Sequence, residues 1–205
     1  MSREKDTLEK IHQEVTNCSS CPLHKKRTKA VPGEGNPNAE IFFIGEGPGK
    51  NEDLEGRPFV GAAGKFLDEM LRSVNLERKD VFIGNVIKCR PPNNRDPENS
   101  EIETCKNYLY RQIKSIKPKI ICTLGRFSLG LLLPGCSISQ VHGSPKKLLF
   151  NSKSHSLHPI KSVILIPLYH PAVALYRGTM REILLEDFKK ISKVLKQIKN
   201  QETVE

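Results

Sequence analysis

The chain of 205 residues predicts an α/β fold, a three-layer α/β/α sandwich around a central four-stranded parallel sheet. Three observations carry that prediction. Four short apolar segments alternate with longer segments of helical period. Each apolar segment runs into glycine, proline or asparagine, residues that stop a strand. The stretches between them are long enough to hold crossover helices, which parallel pairing requires.

The elements follow in order. Glu4–Val15 carries Leu8, Ile11 and Val15 at helical spacing and predicts an opening helix. Glu40–Ile44 is an apolar strand, halted by Gly45-Glu46-Gly47-Pro48-Gly49, which neither extends a strand nor starts a regular helix. Gly64–Val74 places Phe66, Leu67, Met70, Leu71 and Val74 on one helical face. Val81–Ile87 is the second strand, broken by Pro91-Pro92-Asn93-Asn94. Glu98–Ile116 is a long helix that includes Cys105. Lys119–Leu124 is the third strand, with Gly125 behind it and Cys122 filling a buried position. Arg126–Leu133 is a short helix ended by Pro134-Gly135. Leu148–Lys161, with its Asn, Ser, His and Lys content, predicts an exposed loop. Ser162–Pro167 is the fourth strand and runs into Leu168-Tyr169-His170-Pro171. Thr179–Lys199 is the last helix, with Thr179 as its N-cap. No repeat and no linker breaks this order, so residues 1–205 read as a single domain.

Lys and Arg number 33 against 23 Asp and Glu, a formal net charge of +10. That excess favours a polyanionic partner such as nucleic acid or a membrane surface. Part of it sits in Lys25-Lys26-Arg27-Thr28-Lys29; much of the rest lies on the last helix, where a solvated face is the simplest reading. The chain is 37% hydrophobic, with no apolar run long enough to span a membrane. Met1–Lys10 is polar and charged, which argues against a secretory leader.

Four cysteines form two pairs: Cys18 and Cys21, spaced Cys-x-x-Cys, and Cys89 and Cys105 in the middle of the chain. Four thiolates brought to one point suit zinc or an iron–sulfur cluster. A disulfide is the alternative, but it needs an oxidising compartment that nothing in the N-terminus supports. Cys136 follows a Pro-Gly turn and carries no partner signal.

The polar signals fall after the C-terminal ends of the predicted strands, the edge where open α/β sheets bind ligands. The first strand delivers the segment Gly45–Asp53, the second Asn85 and then Asn94, and the fourth His170. A glycine-rich turn exposes backbone N–H groups that can hold an anion or a polar ring edge. The turn is not a Walker loop, because Gly-Lys-Ser/Thr is absent, and the dinucleotide pattern G-x-G-x-x-G fails at Lys50.

The run GEGPGKNEDLEGRPFVGAAGKFLDEML, the run NVIKCRPPNNRDP and the tripeptide HPA, with the four cysteines, resemble the family 4 uracil-DNA glycosylases of bacteria and archaea. The resemblance covers nearly the whole chain. Each motif alone is weak; all of them in order are specific. Glu46, after Gly45, separates the chain from the family 5 pattern, where a small or apolar residue is usual. Gly47 departs from the alanine more common there, a change that a backbone contact would survive.

The resemblance implies an enzyme that flips uracil out of DNA and hydrolyses its N-glycosidic bond, leaving an abasic site for base excision repair. It implies a 4Fe–4S cluster on Cys18, Cys21, Cys89 and Cys105 in an N-terminally braced domain. Phe59 matches the residue that stacks on the flipped ring, worth about 1–3 kcal/mol per base. Asn85 matches the uracil reader, and its amide offers a donor for uracil O4 and an acceptor for N3–H. Cytosine would fail both contacts. His170 matches a donor near O2, where negative charge develops as uracil leaves. Glu46, Gly47 and Pro48 match the segment around the ring, with Glu46 a candidate to orient water. Glu52 matches a position crowding the uracil C5 edge, and Asn94 is a further polar candidate. Glu46, Glu52, Asn85, Asn94 and His170 therefore form the candidate catalytic set.

The partner so implied is uracil-containing DNA, single- or double-stranded, and the protein a monomer in the cytoplasm of a prokaryote. A sliding-clamp contact would suit such an enzyme, but no clamp-binding peptide stands out. Two other readings stay open from sequence. One is a nucleic-acid-binding module with four-thiolate zinc and no catalysis. The other is a glycosylase of broader specificity for deaminated bases.

Overall fold

The computed structural model describes residues 7–150, 157 and 160–202. Its strands are β1 (Glu34–Gly35), β2 (Ile41–Gly45), β3 (Phe82–Asn85), β4 (Ile120–Leu124), β5 (Lys146–Leu149) and β6 (Ser162–Leu168). Its helices are α1 (Leu8–Thr16), α2 (Lys50–Glu55), α3 (Ala62–Ser73), α4 (Asn99–Ile116), α5 (Arg126–Leu132), α6 (Ile138–Val141), α7 (Val173–Tyr176) and α8 (Gly178–Glu202). The strands form one sheet in the order β1-β3-β2-β4-β6-β5.

The four predicted strands are the four central ones, and β3, β2, β4 and β6 pair in parallel. The sheet is nonetheless six-stranded and mixed, because β1 and β5 add antiparallel edges. The first edge strand is only two residues long, too short to show a period. Its Gly35 has φ +129° and lies so close to β3 that an added Cβ would sit 2.1 Å from the Val81 carbonyl oxygen. The second, Lys-Lys-Leu-Leu, alternates half-buried and exposed positions, a charged edge of the kind that resists further pairing. It replaces the start of the loop expected from Leu148; most of that loop lies outside the described residues.

Period-two alternation sorts the core into the two outer layers. On β2, Phe42 and Ile44 face a cluster with Leu109 and Ile113 of α4 and Leu129 of α5. Ile41 and Phe43 face the opposite cluster, with Leu67 and Met70 of α3 and Leu184 and Phe188 of α8. All four β2 side chains are at most 2% exposed. At roughly 1.5–3 kcal/mol each, their burial fixes where the strand runs and so where Gly45 emerges.

Several boundaries differ from expectation. The first helix begins at Leu8, capped by the Thr7 hydroxyl, which accepts from the Lys10 N–H at 3.2 Å; the expected start at Glu4 lies outside the described residues. The last helix begins at Gly178, so Thr179 lies inside its first turn and does not cap it. The short α2, α6 and α7 were not expected; α2 starts directly after the glycine turn, with Gly49 as its cap residue. Cys122 is fully buried in β4, as expected, and burial pushes its thiol well above the ordinary value. Among the described residues, no helix is long and apolar enough to cross a membrane.

Candidate active site

Gly45 and Asn85 are register partners at the C-terminal ends of β2 and β3. The pairing continues past both strands: the Val86 N–H donates to the Gly45 carbonyl and the Ile87 N–H to the Glu46 carbonyl, each at 3.0 Å. The pairing therefore clamps the chain at one end of the segment that follows Asn85. A Cβ at position 45 would lie 2.4 Å from Asn85 Oδ1 and 2.7 Å from Phe59 Cζ. Glycine at 45 is what lets the amide and the ring converge. The ring of Phe59 stacks beside that of His170, with centroids 5.6 Å apart and planes 29° from parallel. Three residues expected from three separate segments thus meet at one edge of the sheet.

Asn85 is 2% exposed, and its Oδ1 finds no hydrogen-bond partner among the described residues. An orphaned buried acceptor costs about 1–3 kcal/mol and calls for a donor. His170 is the complement. Its Nδ1 accepts the Ala172 N–H at 3.2 Å, so the neutral ring carries its proton on Nε2. Burial pushes the imidazole down to about 4, against a smaller upward pull from the Glu52 carboxylate. At neutral pH it is an uncharged donor.

Phe59 adopts a left-handed φ of 54°, rare for a bulky residue. Its surroundings hold it there. The Arg78 guanidinium donates to the Pro58 carbonyl at 3.0 Å and also to the Phe59 carbonyl, while pairing with Glu34 and Asp68. A Cβ on Gly64 would lie 1.7 Å from the Phe59 carbonyl oxygen, so only glycine fits in that turn of α3. Strain so over-determined is typical of functional sites.

Glu52 ties the first two loops together. Its Oε1 accepts from the Val60 and Gly61 N–H groups at 2.9 Å, and its Oε2 from the Gly49 N–H at 3.1 Å. Those bonds make it a positioning residue for the Phe59 loop. Glu46 is half-buried; burial and the neighbouring Asp96 raise its carboxyl, and Arg126, paired with Asp96, partly offsets them. Pro48 is buried, and Gly47 packs so that an added Cβ would lie 2.7 Å from Ile87 Cγ1. An alanine here would have to displace that side chain. Asn94 is exposed, and its Oδ1 accepts from Arg90 Nε at 2.7 Å. A wider groove of about 730 Å³ opens at the opposite edge of the sheet, lined by Lys117, Lys119, Lys147 and Ile164. None of the expected residues lines it.

The four expected cysteines line one cavity, with Arg27, Lys88 and Tyr108. Cys18 and Cys21 follow α1, Cys105 rides on α4, and an Arg111–Glu14 ion pair holds the two helices together. Arg27 Nη1 donates to Cys89 Sγ at 3.0 Å and Nη2 to the Thr16 carbonyl at 2.7 Å, so this member of the basic tract is not a free surface charge. Burial pushes Cys105 up to about 12 and raises Cys89, the latter against Arg27. For Cys18, burial is outweighed by hydrogen bonds with Tyr108 and Ser20 and by Arg27, and its thiol lies below the ordinary value. All six cysteines are free thiols, and none pairs in a disulfide. Among the described residues, no group of three or more His, Cys, Asp or Glu is placed to hold a single metal ion.

Residues 32–198 match the family model of the uracil DNA glycosylase superfamily. The type-4 uracil-DNA glycosylase of Sulfurisphaera tokodaii is 55% identical over 91% of this chain and 84% of its own length. Those of Saccharolobus solfataricus and Archaeoglobus fulgidus are 50% and 47% identical, over 93% and 92% of this chain and 87% and 94% of their own. The chain belongs to the type-4 uracil-DNA glycosylases.

Within this glycosylase, sequence reasoning passed over Gly64, Arg78 and Lys88. Gly64 and Arg78 show their purpose only in the strained backbone at Phe59. Lys88 lies within NVIKCRPPNNRDP and reads as a surface lysine; it is 1% exposed, and burial pushes its ammonium down to about 8. Also unexpected is the exposed pair Leu175 and Tyr176 on α7. That helix is fastened to the histidine turn, because the Val173 N–H donates to the His170 carbonyl at 3.0 Å.

Proposed function

We propose that the protein hydrolyses the bond between N1 of uracil and C1′ of deoxyribose in DNA, with Asn85, Phe59 and His170 as the groups that hold the flipped base. The orphaned Oδ1 of Asn85 carries the reading. Uracil N3–H is the donor that this acceptor lacks, and the same amide can donate to O4. Cytosine brings a bare N3 and an amino group and would leave both sides unpaired, a mismatch that buried sites reject strongly. Phe59 supplies the stacking face, which offsets part of the few kcal/mol that flipping costs.

Breaking the bond pushes an electron pair onto uracil and leaves positive character on the sugar. The Nε2–H of neutral His170 is the donor suited to the charge developing on O2. Water adds to C1′, its proton is released, and uracil departs as the anion. Glu46, with its raised carboxyl near the first loop, is the side chain best suited to orient that water. Glu52 acts through the backbone it holds.

Cys18, Cys21, Cys89 and Cys105 would hold a 4Fe–4S cluster. The donor set fits: four thiols face one cavity, with Arg27 on Cys89 and Lys88 beside Cys105 to offset the charge of thiolates. When bound, the cluster supplies a brace for α1, α4 and the segment after Asn85. The decisive experiment is strand scission at abasic sites after incubation with uracil-containing single- and double-stranded DNA. Cleavage at uracil and not at cytosine or thymine is expected, from a brown protein with broad visible absorbance. Folded, metal-replete protein that leaves uracil untouched would sink the reading, and a colourless zinc-loaded sample would sink the cluster.

The α7 surface adds a prediction. Tyr176 is 86% exposed beside Leu175 and Arg177, one short turn from the His170 loop. Apolar wedges of this kind unstack base steps in duplexes. Tyr176→Ala is expected to slow uracil release from duplex DNA about tenfold, roughly 1.4 kcal/mol of the unstacking cost, and to leave single-stranded substrate unaffected. Equal losses on both substrates would remove the wedge from the account.

A further inference from the structure

Lys88 lies between the reader and the cysteine cage, three residues after Asn85 and directly before Cys89. Its Nζ donates to the Asn85 backbone carbonyl at 2.9 Å and to Gln112 Oε1 at 2.7 Å. Gln112 is itself buried, and its Nε2 donates to the Pro32 carbonyl at 2.7 Å. The Lys88 carbonyl accepts from the Val31 N–H at 2.8 Å. The ammonium faces Cys105 of α4 and His12 of α1. A buried lysine is costly even when paired, and a methionine would fill the same space at less expense. What the lysine adds is a bond across the turn.

We propose that Lys88 is a positioning residue for uracil selection: its ammonium ties the backbone of Asn85 to Gln112 of α4, holding the reader amide at one angle. The inference rests on Asn85 being the reader. One end of the Asn85–Cys89 segment is clamped by the ladder to Gly45. The other ends on a proposed cluster ligand. Lys88 closes the chord between them, from side chain 88 to carbonyl 85. Without that chord the Asn85 carbonyl loses its bond to the ammonium, and its peptide plane can tilt, carrying the side chain with it. Displacement of about 1 Å is enough to cost a hundredfold in rate.

The test compares Lys88→Met, Lys88→Gln and Gln112→Met with the intact protein in single-turnover uracil release. Iron content, visible absorbance, melting temperature and affinity for DNA with an abasic-site analogue are measured alongside. Lys88→Met is expected to lose about 10- to 100-fold in rate. Its iron content and its affinity for the analogue should be unchanged, because phosphate contacts bypass the reader. Lys88→Gln, which keeps a donor, should recover part of the rate. If neither Lys88 variant folds, Gln112→Met decides: a loss of rate with full iron supports the chord, and an unchanged rate overturns it. A Lys88→Met protein with intact rate also overturns it. So does a rate lost only in proportion to iron, which would make the lysine a support of the cage alone. Asn85→Asp separates the premise. If that variant still releases uracil at the original rate, the reader assignment fails; if it is crippled while Lys88→Met is not, only the present inference fails.

Discussion

Replacing Asn85 with alanine lowers kcat/KM on uracil-containing DNA by thirtyfold to more than ten thousandfold and leaves the melting temperature unchanged or higher. The first half follows from the two hydrogen bonds that the amide offers uracil. Each bond removed from a dry site leaves a polar group unpaired at about 1–3 kcal/mol, so the pair is worth about 2–6 kcal/mol, at 1.36 kcal/mol per factor of ten. The second half follows from the free protein. Asn85 Oδ1 is buried with no partner among the described residues, so deleting it breaks no hydrogen bond of the fold and relieves the cost of an unpaired acceptor. A small cavity left by the shorter side chain works against that relief, at roughly 1 kcal/mol for a methyl-sized void. The two nearly cancel. A core asparagine whose loss disables without destabilising is the mark of a residue kept for its ligand. Chemical or thermal melting beside single-turnover kinetics checks both halves. A large fall in melting temperature would show that Asn85 serves the fold, and an unchanged rate would show that it does not read the base.

How far this was legible in the chain depends on the kind of signal. The four central strands announced themselves because each is buried on both faces and reads as a continuous apolar run, as with Ile41, Phe42, Phe43 and Ile44. The edges did not. Glu34–Gly35 is a single strand period, too short to show alternation, and Lys146–Leu149 reads like the polar loop that follows it. At the site, Phe59, Asn85 and His170 were marked by their motifs, and the close approach at Gly45 and the stacked rings bring them together. The supports were illegible. Gly64 is one glycine in a helical stretch, and its role lies in a contact with the Phe59 carbonyl that no local pattern encodes. Lys88 and Arg27 look like surface charges, yet each gives its donors to protein partners, Asn85 and Gln112 in one case and Cys89 and Thr16 in the other. Composition reports charge; it does not report where the charge is folded.

His170→Ala is expected to cost 10²- to 10³-fold in single-turnover rate, the usual loss when one donor to a developing oxyanion is removed. The pH profile then tells which form of the ring works. Burial holds the imidazole near 4, against an ordinary value of 6.5, so the neutral ring with its proton on Nε2 prevails across the physiological range. Protonating Nδ1 would set its new N–H against the Ala172 N–H it now accepts, turning the ring out of place. A neutral donor therefore predicts kcat/KM that is flat from about pH 8 down to 5 and falls as pH drops toward 4. A cationic donor predicts the reverse, a decline as pH rises through 6.5, and that outcome would overturn the assignment. Stability runs in the same direction. Between pH 4 and 6.5 the unfolded chain binds the proton that the folded ring refuses, so stability rises with pH across that window and the contribution is lost as pH falls through it. Glu46 is the other group able to shape the acid limb, since its carboxyl is raised by burial and by Asp96. Glu46→Gln removes that titration. A limb that stays near 4 in this variant belongs to His170, and one that vanishes with the carboxyl belongs to the residue proposed to orient water.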